Sequence, residues 1–417
     1  MKVWTSVMAA VALAAVGGVA GFGVVAQREL AELTVAPAYA LPAVTPVLEP
    51  ATPQPVDTAA RAAEVAALAA DEALGTFHAR ITDAATGETV FESAPNGALR
   101  PASSTKLLTG SAAIVELGAT DTITTEVVRG LNPGEVVIKA AGDVWMNQES
   151  IDSLAEQIGS ADTVLIDTSL WTGETMLPGW NPVDIDAGFI APLEPAMLNG
   201  GRGLGAESGD VPRSHTPAID VAQALADSVG ATTVGPGTAP AGAEVVATTT
   251  SPDLVARLRA MMKDSDNVMA EAIGREVAIH RGSTAPQATL DVLAEHGFTT
   301  AGTTLTDSSG LSTLNLITPA LLDAVLLSAA QGGEIAPLLD TLPVAHGEGT
   351  LYDRFEDLPG RGWVRAKTGT LDYTSALVGT VTSENGNVYT FALLSNDSEI
   401  LPARRAMDTL TSALRKY

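Results

Sequence analysis

Strand signals sit at the two ends of the foldable part of this chain and helix signals fill the space between them, a distribution that few architectures accept. Near the N-terminal end, the stretches 77–84 and 88–93 flank Thr86-Gly87 and read as strand, turn and strand. Near the other end, 363–370, 375–382 and 388–395 read as three more strands, the last two joined through Asn385-Gly386, a strong hairpin signal. A final helix is expected from near Pro402, which suits a first helical turn, with Met407, Leu410 and Leu414 on the face that lies on the sheet. Between the ends, helices are expected at 106–117 closed by Gly118, 252–262, 268–280, 286–296 closed by Gly297, and 319–330 after Thr318. The pattern predicts an α/β sandwich whose sheet is complete only when the two ends of the chain meet.

With 417 residues the chain exceeds the usual single-domain range, so one large domain with an insertion, or two domains, is expected. A net charge of −26, from 23 basic and 49 acidic side chains, opposes binding to nucleic acid and to anionic lipid surfaces. Cysteine is absent, which removes disulfides, thiol nucleophiles and thiolate metal sites. Localisation is therefore read from the N-terminus. After Lys2 no charge occurs through Gln27, long enough for a membrane-crossing helix. Its length slightly favours a retained anchor over a signal peptide cleaved after Ala26 or Ala40. Pro42, Pro46, Pro50, Pro53 and Pro55 then mark an extended stalk, and an alanine-rich helix around 59–74 precedes the first strand.

Three short motifs carry the chemistry. In Ser103-Ser104-Thr105-Lys106, the serine lies at a helix N-terminus and the lysine one turn along the same face, placing an amine beside a hydroxyl. A serine is a poor nucleophile until a base takes its proton, and a lysine serves as that base only when desolvation or positive neighbours lower its pKa. Ser265-Asp266-Asn267 falls between two expected helices, where Ser265 can pass a proton to a leaving amine and the Asn267 amide can orient both substrate and lysine. Lys367-Thr368-Gly369-Thr370 lies on an expected strand: the lysine and hydroxyls offer a carboxylate site, and Gly369 leaves room for a substrate backbone. The amides of Ser103 and Thr370 can form an oxyanion hole. A joint accidental match of all three is on the order of one in a thousand. Taken singly, Ser103, Ser265 and Asn267 would read as helix-cap or turn residues and the lysines as solvated surface charge.

This set resembles the signature of penicillin-binding proteins and serine β-lactamases. About 160 residues separate Ser103 from Ser265, far more than a β-lactamase needs, and this resembles the class C low-molecular-mass penicillin-binding proteins, the D-alanyl-D-alanine carboxypeptidase/endopeptidase family. Gly142-Asp143, Asp167-Thr168-Ser169, Pro178-Gly179-Trp180-Asn181, Asp307-Ser308-Ser309-Gly310-Leu311-Ser312 and Gly349-Thr350-Leu351 are similar to that family too. The resemblance implies a three-layer sandwich of the penicillin-binding/serine β-lactamase kind, with an antiparallel sheet between helices, an all-helical lobe and an inserted domain. It runs from about Phe77 to Asn396 and implies a catalytic domain at 76–118 and 247–417 with a compact insertion at 119–246, while composition gives an anchor or signal at 1–27 and a stalk and spacer at 28–75. Ser103, Lys106, Ser265, Asn267 and Lys367 become the catalytic residues, and Asp266, Thr368, Gly369 and Thr370 contact substrate. The partners implied are peptidoglycan peptides ending in D-Ala-D-Ala, and β-lactams as inhibitors, with no cofactor or metal. Among rival readings, Glu194 stands in a near match to the class A β-lactamase glutamate motif but has one residue too many and precedes Ser265. The five histidines show neither His-Glu-x-x-His spacing nor a Gly-x-Ser-x-Gly elbow nearby. A receptor that binds wall peptides without turnover would lack catalytic parts, and none is missing here.

Overall fold

The computed structural model describes residues 55–203 and 205–417, so the uncharged N-terminal stretch and most of the proline-rich stalk lie outside the described residues. Among the described residues, no helix is long and apolar enough to cross a membrane. Helix α1 (Thr58–Ala69) starts where the Asp57 carboxylate accepts from the Ala60 amide at 3.0 Å. It ends sooner than the alanine run suggests, because Asp71 caps a separate 3₁₀ turn, Glu72–Leu74. Val65 and Leu74 are buried in the core that Met407 and Leu410 share, and Arg61 donates to the Tyr389 hydroxyl at 3.0 Å. The stretch expected to be a spacer is thus packed onto the body. Its alanines gave the buried face too little hydrophobic contrast to be read as one.

Strands β1 (Thr76–Asp83) and β2 (Thr89–Ser93) follow, and a 3₁₀ turn at Ala102–Thr105 runs into α2 (Lys106–Leu117). The next block holds β3 (Thr124–Arg129), β4 (Glu135–Lys139), β5 (Asp143–Met146), α3 (Gln148–Ile158), β6 (Thr163–Asp167), β7 (Ala196–Leu198), α4 (Pro217–Val229), β8 (Thr233–Pro236) and β9 (Val245–Thr250). Helices α5 (Leu254–Asp264), α6 (Asn267–Arg281), α7 (Ala285–Glu295) and α8 (Pro319–Ala330) come next. The chain closes with β10 (Val364–Leu371), β11 (Thr374–Thr382), β12 (Val388–Asn396) and α9 (Ile400–Ala413). Helix α5 starts two residues later than expected, because Asp253 accepts from the Ala256 amide and caps it there. Pro402 falls inside the first turn of α9, where its missing N–H costs no helical bond.

The central sheet has the order β10-β11-β12-β1-β2, antiparallel throughout, so the N-terminal hairpin completes what the C-terminal strands begin. Alternation along β11 sends Ala376 and Val378 to one face and Leu377 to the other, and each face is covered. Met407, Leu410 and Leu414 of the C-terminal helix, with Val65 of α1, pack on the Leu377 face, while α2, α5, α6 and α8 build the core on the opposite side. This is the three-layer sandwich with a helical lobe. A second sheet, ordered β8-β6-β4-β3-β9, has its own core with Ile151 and Leu154 of α3 and Val221 and Leu225 of α4. The segment 119–246 does more than build that sheet. Trp145, Trp180, Ile190 and Met197 belong to the helical-lobe core, beside Leu258, Met261 and Val268.

Candidate active site

The site gathers at a cavity of about 540 Å³ that Ser103, Ser265, Asn267, Thr368 and Thr370 all line. Ser103 lies in the 3₁₀ turn before α2, which is held from inside: Ser104 Oγ donates to the Pro101 carbonyl at 2.7 Å and Thr105 Oγ1 to the Ala102 carbonyl at 2.9 Å. Gly310 and Gly369 let two other segments press against that turn. A Cβ on Gly310 would lie 1.9 Å from the Ala102 carbonyl oxygen, and one on Gly369 would lie 2.5 Å from the Pro101 oxygen. The expected reason for Gly369, access for substrate backbone, gives way to one the structure supplies: the nucleophile turn occupies that space.

Lys106 is fully buried, and its Nζ donates to Ser103 Oγ at 3.0 Å, Asn267 Oδ1 at 2.8 Å and the Ser309 carbonyl at 2.7 Å. Burial pulls its pKa down to about 8, against the opposing charges of Asp307, Asp266 and Glu271. Lys367 is also fully buried, and donates to Ser265 Oγ and to the Thr368 carbonyl, each at 2.9 Å. Burial, and then the charge of Lys106, push it well below the usual lysine range. Thus two buried amines, each bonded to one serine that lines the cavity, lie in environments that shift them toward their neutral forms.

Ser265 is the C-cap of α5 in the left-handed region at φ 58°, a conformation that costs a serine on the order of 1 kcal/mol. The reversal it makes lets α6 begin two residues later, with Asp266 as N-cap and Asn267 as its first helical residue. Asp266, expected to touch substrate, is among the residues lining the cavity, while its carboxylate is engaged inside the protein. It is 3% exposed, with Oδ1 accepting from the Met269 amide at 2.8 Å and Oδ2 taking Arg213 and Arg202, each at 2.7 Å. Burial raises its pKa, but the two guanidinium groups win and hold it at about 2. Asn267 is fixed at its other end by donation from Nδ2 to the Phe189 carbonyl at 3.1 Å. Phe189, Arg202 and Arg213 all come from the segment between the first two motifs.

Four further contributors escaped the sequence reading of the site. The buried Glu271 carboxylate accepts from the Ser308 and Ser309 amides at 3.0 and 2.8 Å, fixing the loop whose carbonyl holds Lys106. Burial and then Asp307 push Glu271 up to about 8, while those amides pull it down. Thr350 Oγ1 accepts from Thr368 Oγ1 at 2.8 Å, and Thr370 Oγ1 accepts from Arg404 at 2.6 Å. Arg213 is the fourth. Glu194 lies away from the cavity and accepts from the Ala218 amide at the start of α4.

A family model described as D-Ala-D-Ala carboxypeptidase 3 (S13) matches residues 61–206 and 204–415. The chain belongs to that family. It is a serine-type D-Ala-D-Ala carboxypeptidase of the class C low-molecular-mass penicillin-binding group, a hydrolase. It is similar to a carboxypeptidase of Mycobacterium tuberculosis, 43% identical over 385 residues that cover 84% of this chain and 83% of the relative. Carboxypeptidase DacB of Mycolicibacterium smegmatis is 41% identical over 412 residues, covering 91% and 88%. The crystal structure of penicillin-binding protein 4 from Haemophilus influenzae superposes with a TM-score of 0.71 at 19% identity, covering 85% of this chain and 99% of that one, which supports the fold.

Proposed function

We propose that Ser103 is acylated by cell-wall stem peptides ending in D-Ala-D-Ala. The observation that carries this is the 3.0 Å bond from Lys106 Nζ to Ser103 Oγ, made by a lysine whose burial lowers its pKa to about 8. Neutral Lys106 takes the Ser103 proton as Oγ attacks the carbonyl carbon of the D-Ala-D-Ala bond. The oxyanion is received by the amides of Ser103 and Thr370. Collapse breaks the C–N bond, and the departing amine takes the proton that Lys106 removed from Ser103, relayed through Ser265, whose hydroxyl is bonded to Lys367, so that Lys106 is neutral again. Water then attacks the ester carbonyl with Lys106 accepting its proton, and as the ester C–O bond breaks Lys106 returns that proton to Ser103 Oγ. Asn267 keeps Lys106 aimed at Ser103, and Thr368 and Thr370 face the substrate carboxylate.

A β-lactam presents a strained amide and a carboxylate to the same groups, so penicillin is expected to acylate Ser103 and leave slowly. The segment 119–246 is read as an insertion into a catalytic body made by 76–118 and 247–417. We place that body outside the cytoplasm, exported by the uncharged N-terminal stretch and held to the membrane when that stretch is retained. The deciding experiment incubates the chain with a D-Ala-D-Ala tripeptide and with benzylpenicillin. Released D-alanine and a penicilloyl adduct on Ser103, located by peptide mass spectrometry, are expected. An adduct on Ser104, Ser111 or Ser265 with Ser103 unmodified would remove the assignment.

A further inference from the structure

Three arginines line the catalytic cavity, and two of them are already engaged. Arg213 holds the buried Asp266, and Arg354 is paired with the buried Asp408 at 2.5 and 3.1 Å. Arg404 differs. It forms no ion pair among the described residues, its Nε is buried with no hydrogen-bond partner, and its Nη2 donates to Thr370 Oγ1 at 2.6 Å. Asp353 and Asp408 act on it only at longer range.

That bond has a consequence for Thr370. Its oxygen already accepts from a charged donor, so its own proton remains for an acceptor, and none is present among the described residues. A guanidinium with no carboxylate partner among the described residues, beside a hydroxyl that still has a proton to donate, suits a carboxylate ligand. Lys367, the cation that the sequence suggests for this task, donates instead to Ser265 and the Thr368 carbonyl.

We infer that Arg404, on the first turns of the C-terminal helix, supplies the positive charge that reads the C-terminal carboxylate of the leaving D-residue, acting beside and through Thr370. This rests on the proposed peptidase reading and adds a specificity-determining residue to it. The chain is thereby selective for a free carboxylate end over the same peptide capped as an amide.

The test uses the full chain and Arg404→Gln and Arg404→Lys variants. The substrates are a peptide ending in D-Ala-D-Ala, its C-terminal amide, benzylpenicillin, and benzylpenicillin methyl ester. Arg404→Gln is expected to lower kcat/KM for the free acid by about 10- to 100-fold, mostly through KM, and acylation by benzylpenicillin by a similar factor. The amide and the methyl ester should change by less than about threefold, because they carry no charge to lose. Arg404→Lys, which keeps the charge but not the planar fork, should fall between. Equal losses on charged and neutral partners, or no loss on either, would overturn the role of Arg404 while released D-alanine keeps the peptidase reading intact. A wild-type chain that neither releases D-alanine nor is labelled by benzylpenicillin would overturn both.

Discussion

Two fully buried amines lie near enough that the charge of Lys106 disfavours charge on Lys367, and each is bonded to a serine that lines the cavity. Lys106, lowered by burial to about 8, has carboxylates around it that oppose the shift, while Lys367 is lowered by burial and then by the charge of Lys106. Because Lys106 acts as a base only after losing its proton, acylation should rise with pH and level off above about 8, falling toward tenfold per pH unit below it. Second-order labelling rates with benzylpenicillin across that range check this, and a flat profile would mean that another group accepts the proton. Lys106→Ala should slow labelling by about a hundredfold or more, and Ser103→Ala should abolish the adduct while leaving reversible binding. The residues behind these predictions were legible because each motif is local: Ser103 and Lys106 share one helical turn, and Ser265 and Asn267 straddle one helix junction. Arg404, Thr350, Glu271 and Arg213 reach the site from 18 to 53 residues away from the groups they hold. Nothing in local spacing marks such contacts. The loop 307–312 and Gly349-Thr350-Leu351 were visible only as resemblance.

At the level of elements, the second motif depends on its neighbours from the insertion. The α5–α6 junction holds Ser265 in a left-handed conformation, and what opposes relaxation is the N-cap bond of Asp266 together with Arg202 and Arg213. Arg213→Met should cost about 1.5–3 kcal/mol, since Arg202 still pairs with the carboxylate. It should also slow Ser103 acylation by about ten- to a hundredfold through displacement of Asn267. Thermal unfolding and labelling rate read the two effects separately, and recovery of the rate in Arg213→Lys would distinguish positioning from general damage. The pH dependence has a definite sign. Asp266 titrates lower in the folded chain than its ordinary 3.8, so the stability it adds is present above that value and is lost as pH falls through about 2. Losing Arg213 should move that loss to higher pH. The five strands of the central sheet were legible to within a residue or two, helped by the Asn385-Gly386 turn, whereas β3–β9 were not read from the sequence. Helix boundaries shifted where Asp253 caps the start of α5 and Asp71 caps the 3₁₀ turn that ends the α1 run early, since capping is decided by side-chain geometry that the apolar period does not contain.

Over the whole molecule, the sequence suggested a catalytic body interrupted by a compact insertion at 119–246, and the cores argue for a close union of the two. One core of the insertion, with Val164, Val221 and Leu225, serves its own sheet. Another set, Trp145, Trp180, Ile190 and Met197, is shared with the helical lobe, whose Met261 and Val268 flank the second motif. Apolar residues read along the chain do not say which of two cores they enter, so this division was not legible. It leads to a paired prediction. Replacing 119–246 by a short linker should strip the lobe of these side chains and of both arginines on Asp266, giving a body that unfolds at lower temperature and is not labelled by benzylpenicillin. Leu225→Ala, which opens a cavity only in the second core, should cost about 2–5 kcal/mol and leave the labelling rate of the folded chain within about twofold of wild type. Met197→Ala should cost a similar amount but slow labelling as well, because its core reaches the helices that carry Met261 and Val268. Equal labelling rates for the two variants, or a linker chain that folds and still acylates, would mean that the insertion shapes access alone and that the arginine clamp contributes nothing to Asn267.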